Sequence, residues 1–349
     1  MPLDENRTDT DPQHVPMTEG DITGHNIETT SEVASVFGIN DERDSANAST
    51  KVYGPRDPSE PCVACGWTLA EDQCTSYKSS VKLFYAASSR GAWALGSKFI
   101  LKERGTFPPS HEAANIRFLK ERTSIPIPNM IQDWYEGDKY FTITSRIEGE
   151  TLEHAWPNLS GEDRVRIAKQ VAGGLEEMRQ LKSDRIEAVN GELHYDTALF
   201  PKGGSGQPPL ASDEELWAVL SEPLAHVEDG ALQVLRENMP QCTPYTFTHG
   251  DLNYCNIIVK DGNFAGFIDF ERSGFFPIWH EYVLCRYGLG KEDTEWKELL
   301  SEHITQYPKA MNFYLACLEH ERNPKGTKAQ KLLDDLVVGV AECPMIQVW

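Results

Sequence analysis

Short apolar runs separated by polar turns predict a set of strands near residue 100 of the chain. Residues 81–87, 93–95 and 98–102 are such runs, and a polar stretch at residues 88–91 follows the first. Residues 130–136 and 140–147 repeat the pattern around Gly137 and Asp138. Apolar, β-branched and aromatic residues bounded by turn residues are typical of strands and hairpins.

Apolar positions at helical spacing predict helices before and after a central block. The helix over residues 111–122 follows Pro108, Pro109 and Ser110, and its predicted apolar stripe contains Ala114, Phe118 and Leu119. The helix over residues 161–181 starts from a capping box at Ser160 and Asp163, with Val165 among its predicted core residues. Further helices are predicted at 211–228, in a second segment that ends near Asn238, from Pro277, at about 293–320 and at about 327–341.

Residues 183–212 carry several Gly and Pro residues and predict a long loop. Loops of this length inside a domain are usually functional or mobile. His194, Tyr195 and Asp196 could approach a cleft from this segment, but each one alone is more often an ordinary surface residue. They stay unassigned.

The block at residues 248–271 combines a predicted hairpin with a cluster of polar residues. Two apolar runs, 257–259 and 264–268, flank the turn signal Asp261-Gly262-Asn263. Such a hairpin would bring Asp269 close to Asn256, although the two are 13 positions apart. Together with Asp251, one corner would then hold two carboxylates and an amide.

This set of side chains fits metal-dependent phosphoryl transfer. Asp251 would accept or orient the proton of an attacking hydroxyl, while Asn256 and Asp269 would offer oxygen ligands to Mg²⁺. Protein kinases use the order H-R-D-x-x-x-x-N followed by D-F-G. The alternative is a buried hairpin whose Asp and Asn residues only cap the backbone.

The segments HGDLNYCN (249–256) and FIDFE (267–271) resemble the aminoglycoside phosphotransferase and choline kinase family, whose small-molecule kinases share the protein-kinase fold. Gly250 in place of Arg and Glu271 in place of Gly favour this family over protein kinases. The following SGFFPIWHEYV resembles a form found in fungal members. The resemblance implies an α+β, bilobal fold with a small antiparallel-sheet N-lobe, one helix there, and a larger, mainly α-helical C-lobe.

The resemblance also implies site residues in the N-lobe. Lys102, at the end of an apolar strand, would reach the nucleotide phosphates, and Glu112 would pair with Lys102. Residues 88–91 would form the loop over the phosphates, although they lack a full glycine-rich pattern. The alternatives are a solvated strand-end lysine, and a glutamate that only favours the helix dipole.

Other positions follow from the same resemblance. Backbone groups around Ser145 and Ile147, in a hinge at residues 144–148, would read adenine. His249 would shape the catalytic loop by hydrogen bonding. Glu271 would either bind a cationic substrate or anchor the loop, and the sequence does not choose.

The domain organisation predicted is an acidic N-terminal extension (1–75), the N-lobe (76–147) and the C-lobe (148–349). Residues 1–60 hold 13 acidic and 4 basic side chains, a composition that buries little, and residues 30–37 could form one short helix. Cys62, Cys65 and Cys74 lack an obvious fourth zinc ligand nearby and are interpreted as free thiols; the alternative is a zinc site that recruits His14 or His111 through the fold.

Composition narrows the class of protein. The 349 residues are 40% hydrophobic, which is enough for a sizeable core, and their net charge of −21 argues against nucleic-acid binding. No apolar run is long enough to span a membrane, and the N-terminus does not resemble a secretory signal. The eight scattered cysteines indicate reduced thiols, so a cytoplasmic location is expected.

The resulting hypothesis is an ATP- and Mg²⁺-dependent enzyme that transfers the γ-phosphoryl group to a hydroxyl of a small molecule. GTP is an alternative donor, and the acceptor could be an aminoglycoside, an amino alcohol or another metabolite. The acidic chain could attract a cationic acceptor. The other hypotheses are a pseudokinase that serves as a nucleotide-binding or regulatory module, and a protein kinase. The sequence does not indicate the oligomeric state.

Overall fold

The computed structural model describes residues 81–87, 90–196, 198–200, 206–339 and 346–347. Several predicted features therefore lie outside the described residues. They are the acidic extension at 1–75, the short helix at 30–37, the cluster of Cys62, Cys65 and Cys74, and residues 88 and 89 of the predicted phosphate loop.

A five-stranded antiparallel sheet confirms the strands predicted near residue 100. Its order is β1-β2-β3-β5-β4, so the β4–β5 hairpin adds to β3 rather than to the first strand. Gly137, with a φ of 58°, forms the turn of that hairpin. The strands are β1 (Val81–Ala87), β2 (Arg90–Leu95), β3 (Phe99–Gly105), β4 (Met130–Glu136) and β5 (Lys139–Ser145).

One helix, α1 (Glu112–Arg122), follows β3. It begins where the prolines and Ser110 predicted, and the amide of Glu112 donates to Ser110 Oγ at 3.3 Å. The predicted apolar stripe is confirmed for Leu119, which is fully buried, and for Phe118, which packs against Phe247 and Phe275, whereas Ala114 is only half-buried. The helix also buries two polar side chains, Glu112 and Asn115, along with its apolar residues. Both polar residues face the site described below.

The rest of the described chain is mainly helical and carries two three-stranded sheets. Strand β6 (Glu150–Thr151) pairs with β9 (Ile257–Lys260), which pairs with β10 (Asn263–Phe267). Strand β8 (Tyr245–Thr248) lies between β7 (Lys182–Ser183) and β11 (Gly274–Pro277). The helices are α2 (Leu152–Ala155), α3 (Gly161–Arg179), α4 (Asp213–Ser221), α5 (Asp229–Glu237), α6 (His280–Leu284), α7 (Lys291–Ser301), α8 (Pro308–Arg322) and α9 (Thr327–Val338). A last pair joins β12 (Tyr287–Gly288) to β13 (Ile346–Gln347).

Helix α3 is the core helix that the sequence predicts. Ser160 caps it, because its hydroxyl accepts the amide of Asp163 at 3.1 Å. Ile167, Val171 and Met178 are among its fully buried residues, whereas Val165 is only half-buried. The helix packs against β8 and β10 and thereby supports the two strands that carry the polar cluster.

Three predicted helices have the wrong extent. The helix expected over 211–228 ends at Ser221 and passes into a single 3₁₀ turn, Glu222–Leu224, because Pro223 cannot continue the hydrogen-bond ladder. The helix expected over 293–320 is two helices, α7 and α8, and Pro308 starts the second. A proline at a helix start disfavours helix in the residue before it. The helix expected over 327–341 ends at Gly339 in a left-handed conformation.

The helix predicted from Pro277 begins three residues later, since Pro277 still belongs to β11. That strand was missed, and it pairs with β8 through Phe275 and Phe276. The predicted loop at 183–212 forms isolated β-bridges with a neighbouring strand and within itself. Glu187 bridges to Phe275, and His194 bridges to Gln207. His194 and Asp196 are buried, not surface residues.

In the part of the chain that the structure describes, no helix combines the length and the apolar character that crossing a membrane requires.

Candidate active site

The predicted hairpin forms and joins the two polar clusters at one corner. Strands β9 and β10 pair around Asp261 and Gly262, which both have positive φ. The amide of Ile268 donates to the carbonyl of Asn256 at 3.0 Å. His249 Nε2 donates to the carbonyl of Ile268 at 3.0 Å. Ile268, the residue before Asp269, is therefore hydrogen-bonded to both ends of the segment His249–Asn256, which we call the catalytic-loop motif.

Asp251 and Asn256 are in direct contact. Asn256 Nδ2 donates to the Asp251 carbonyl at 2.8 Å and to Asp251 Oδ2 at 3.3 Å. Asn253 Nδ2 donates to Asp251 Oδ1 at 3.1 Å. The Asp251 amide donates to His249 Nδ1 at 3.3 Å, which assigns the Nε2–H tautomer to this histidine. His249 thus makes hydrogen bonds to the segments on both sides of it, and its role in shaping the loop stays a prediction.

Asp269 has a left-handed backbone (φ 68°, ψ 65°), which is uncommon for a residue other than glycine. Its Oδ1 lies 2.9 Å from Lys102 Nζ, across the cleft between the two parts of the molecule. Burial alone would raise the pKa of Asp269. The neighbouring Lys102 ammonium outweighs burial and holds the pKa below its usual value.

Lys102 also contacts the side chain that the sequence pairs with it. Its Nζ lies 2.6 Å from Glu112 Oε1. The ammonium of Lys102 therefore bridges helix α1, which carries Glu112, and the segment after the β9–β10 hairpin, which carries Asp269. Burial lowers the pKa of Lys102, but Asp269 and Glu112 outweigh it and raise the pKa well above its ordinary value. The lysine is therefore charged at neutral pH.

Glu271 has both carboxylate oxygens engaged by arginines. Arg90 contacts Oε1, and Arg104 Nη1 donates to Oε2 at 2.7 Å. Arg90 lies in β2 and Arg104 in β3, so these ion pairs also cross the cleft. Of the two roles left open by the sequence, these contacts fit an anchoring role rather than capture of a cationic substrate. Arg90 and Gly91, expected in the phosphate loop, are strand residues.

Two further residues position the corner, and sequence reasoning missed both. Asn115, buried on α1 one turn after Glu112, donates through Nδ2 to the carbonyls of Phe270 (2.8 Å) and Ser273 (3.0 Å). Glu281 Oε2 accepts the amides of His249 at 2.6 Å and Gly250 at 3.4 Å. The helical spacing from Glu112 is the signal that could have indicated Asn115. Glu281 lies beyond the missed strand β11.

Two adjoining cavities meet at Lys102, Glu112 and Asp269. One has a volume of about 160 Å³, and its walls include Ile100, Ile147, Ile258 and Ile268. The other, of about 110 Å³, is polar and includes Arg90, Arg104 and Glu271. A nucleotide has a flat apolar base and charged phosphates. The apolar cavity would suit the base and the polar cavity would suit the phosphates.

The hinge residues line the apolar cavity, and their backbone groups differ in availability. The Ser145 amide donates to the Asn129 carbonyl at 2.9 Å. The Asn129 amide donates to Ser145 Oγ at 2.7 Å, where a regular ladder would use the Ser145 carbonyl. The Ser145 hydroxyl thus takes the donor that a regular ladder would give to the Ser145 carbonyl. The Ile147 amide donates to no backbone or side-chain group of the described residues.

The oxygen atoms of Asn256 and Asp269 suit a magnesium ion. Asn256 uses Nδ2 to donate to Asp251, so its Oδ1 could act as a ligand. Asp269 uses Oδ1 for Lys102, which leaves Oδ2. Within the described ranges, no group of three or more His, Cys, Asp or Glu side chains could hold a metal. Mg²⁺ commonly takes one or two protein ligands and completes its shell with phosphates and water, so the donor set fits it.

The fold and this arrangement define a kinase-like phosphotransferase. A small antiparallel sheet with one helix covers a larger, mainly helical part, which confirms the α+β fold class that the resemblance implies. A model described as "Phosphotransferase enzyme family" matches residues 98–313, more than half of the chain. The chain belongs to this family.

Two curated relatives match this chain over only 50 residues, a shorter region than the family model covers. The chain is 46% identical over 50 residues to an aminoglycoside 3'-phosphotransferase of Enterococcus faecalis, and the match covers 13% of this chain and 19% of that protein. A Staphylococcus aureus protein of the same name is 44% identical over 50 residues, with the same coverage. The chain thus matches about a fifth of the length of these curated relatives.

Solved structures of aminoglycoside phosphotransferases are similar over most of their length. The streptomycin–ATP complex of APH(2")-IIa gives a TM-score of 0.46 at 16% identity, over 74% of this chain and 90% of that one. An APH(4)-Ia variant with AMP-PNP and hygromycin B gives a TM-score of 0.48 at 14% identity, over 75% and 94%.

Proposed function

We propose that the protein is an ATP- and Mg²⁺-dependent kinase that phosphorylates a hydroxyl of a small molecule. The observation that carries the proposal is the double contact of Lys102, at 2.6 Å from Glu112 and 2.9 Å from Asp269. The charged ammonium of Lys102 thus lies where an apolar and a polar cavity meet, next to the corner that holds Asp251. Residues 76–147 and 148–349 would form the two lobes.

Each residue has a defined task in this proposal. Asp251 accepts or orients the proton of the acceptor hydroxyl and is held by Asn253 and Asn256. Lys102, steadied by Glu112, binds phosphate oxygens. Asn256 Oδ1 and Asp269 would hold Mg²⁺, which would neutralise negative charge on the phosphates.

The apolar cavity supports a purine base as the other end of the donor. The Ser145 carbonyl can accept from the exocyclic amine of adenine, and the Ile147 amide can donate to its ring nitrogen. An amine at that position distinguishes adenine from guanine, whose oxygen there would face the carbonyl. This complementarity favours ATP over GTP.

The acceptor is proposed as a small alcohol, with aminoglycosides as the first class to test. The curated relatives carry aminoglycoside 3'-phosphotransferase as their name. Amino alcohols and sugars carry the same reacting group and belong in the same panel. Glu271 is not assigned to the acceptor, because two arginines engage its carboxylate.

The test is ADP release from Mg²⁺-ATP in the presence of aminoglycosides, amino alcohols and sugars. We expect one class to stimulate ADP release, and Asp251→Asn to reduce turnover by about a hundredfold to ten-thousandfold while nucleotide affinity is kept. Asp261→Asn, at the exposed tip of the same hairpin, is the matched control. Undiminished turnover in Asp251→Asn would contradict the mechanism, and nucleotide binding without turnover on any acceptor would favour a pseudokinase.

A further inference from the structure

Three cationic side chains of the small sheet face two carboxylates across the cleft. Lys102 contacts Asp269 at 2.9 Å, while Arg90 and Arg104 engage the two oxygens of Glu271. All five side chains line the same cavity of about 110 Å³. Kinase chemistry accounts for Lys102 and Asp269, but it assigns nothing to the two arginines.

Strand periodicity places both arginines beside Lys102. Arg104 is two positions after Lys102 on β3 and so points to the same side of the sheet. Ala92 pairs with Lys102, and Arg90 precedes Ala92 by two positions on β2. Arg90 and Arg104 are therefore neighbours across the strands, and like charges in such positions repel. Glu271 lies between them and offsets the repulsion.

The connection between β1 and β2 is short. Ala87 pairs with Arg90, so two residues, 88 and 89, join the strands. A glycine-rich loop in protein kinases covers the phosphates. Two residues offer few amides for that purpose, whereas Arg90 stands at the same end of the hairpin and carries a charged donor group.

Arg104 has more donors than acceptors. Nη1 donates to Glu271 at 2.7 Å and Nη2 donates to the Pro108 carbonyl at 2.9 Å. Nε is buried and has no hydrogen-bond partner among the described residues. Buried donors are nearly always paired in folded proteins. A phosphate group offers several oxygens, and the planar guanidinium matches it with two parallel hydrogen bonds.

We propose that Arg90 and Arg104 bind the terminal phosphates of the nucleotide and replace the contacts of a glycine-rich loop. The inference rests on the proposed function, because it takes a nucleoside triphosphate as the ligand. Each guanidinium has five N–H donors. Arg104 can therefore keep Nη1 on Glu271 and turn Nε toward a β- or γ-phosphate, and Arg90 adds a second positive charge beside it. Glu271 holds the two arginines together for this purpose.

The experiment compares Mg²⁺-dependent binding of adenosine, AMP, ADP and ATP by calorimetry. The proteins are the wild type, Arg90→Gln, Arg104→Gln and the matched control Arg117→Gln. Arg117 also pairs with a carboxylate, that of Asp133, but it lies outside both cavities. Unfolding temperatures are measured alongside, and Arg104→Lys provides a second variant that keeps the charge but not the two-pronged geometry.

We expect each cleft variant to bind ATP about tenfold more weakly or worse, with adenosine and AMP changed by less than about twofold. Arg104→Lys should give an intermediate loss, and Arg117→Gln should bind all four ligands like the wild type. Equal losses for all four ligands, or no loss for ATP, would overturn the inference and leave the proposed function intact. Failure of the wild type to bind any of the four would overturn both.

Discussion

Glu281 accepts a 2.6 Å hydrogen bond from the backbone amide of His249, 32 positions earlier in the chain. The same carboxylate oxygen accepts the Gly250 amide at 3.4 Å. Its other oxygen is buried and has no hydrogen-bond partner among the described residues. The start of the catalytic-loop motif is thus held by one charged acceptor on helix α6.

Replacing Glu281 by Gln tests this dependence. The variant keeps the shape of the side chain but loses the charge, and hydrogen bonds to a charged group contribute about 1.5–3 kcal/mol against about 1 kcal/mol for neutral ones. We expect the free energy of unfolding to fall by about 1 kcal/mol and turnover to fall, with the KM for ATP nearly unchanged.

Urea denaturation and steady-state kinetics measure these two effects. Glu176→Gln, an exposed change on α3, is the control and should alter neither quantity. A Glu281→Gln enzyme with wild-type turnover would show that the loop does not need this acceptor.

Asn115 links the helix that carries Glu112 to the turn after Asp269. Asn115→Leu would leave the buried carbonyls of Phe270 and Ser273 without this donor, and each loss costs about 1–3 kcal/mol. We expect the variant to be destabilised by about 2 kcal/mol or more and to bind Mg²⁺-ATP more weakly at temperatures where it stays folded.

Thermal unfolding and calorimetry measure the two effects of the Asn115 change. Lys120→Gln, on the exposed side of the same helix, serves as the control. If Asn115→Leu lowers stability alone and leaves nucleotide affinity intact, then the contact is structural and does not position the site.

Asp269→Asn separates metal-nucleotide binding from the chemical step. Loss of the carboxylate removes a ligand proposed for Mg²⁺ and one of the two partners of Lys102. We expect Mg²⁺-ATP to bind about tenfold to a hundredfold more weakly, whereas Asp251→Asn should leave this affinity near the wild-type value. Titration with and without Mg²⁺ distinguishes the two, and a metal-independent loss in Asp269→Asn would point to Lys102 alone.

The buried His194, which packs against Phe276 of β11, should make the stability of the protein sensitive to acid. Burial is the largest cause that lowers its pKa, to about 4, and the neighbouring His111 and His280 add to this against the opposing charge of Asp196. The unfolded chain has the ordinary histidine pKa near 6.5 and binds more protons below that pH. The free energy of unfolding should therefore fall by about 2 kcal/mol between about pH 7 and about pH 5.

His194→Phe removes that titration, because a phenyl ring can pack against Phe200 and Phe276 without binding a proton. Asp196 does not contribute in this range, since its pKa lies below the usual value of an aspartate. Denaturation curves at the two pH values should show a smaller loss in the variant. Equal losses in both proteins would assign the acid sensitivity to other groups.

The sequence by itself determined the hairpin and the polar corner at residues 248–271. Turn residues and apolar runs act over a few positions, so β9, β10 and the approach of Asp269 to Asn256 follow from local chemistry. The same locality explains the apolar strand that carries Lys102 and the helix that begins at Glu112, whereas their contact was implied by the family resemblance.

Tertiary structure alone decided which distant partners these residues take. Arg90 and Arg104, from neighbouring strands, both contact Glu271. Asn115 of helix α1 binds the carbonyl of Phe270, and Glu281 of helix α6 binds the amide of His249. Such choices depend on how elements pack, because a buried polar group pairs with whatever partner the fold brings within reach. The end of α4 and the start of α8, by contrast, follow locally from Pro223 and Pro308. The missed strand β11 has the same tertiary origin as the distant partners, because it forms by pairing with β8, and the periodicity of its own residues does not reveal that pairing.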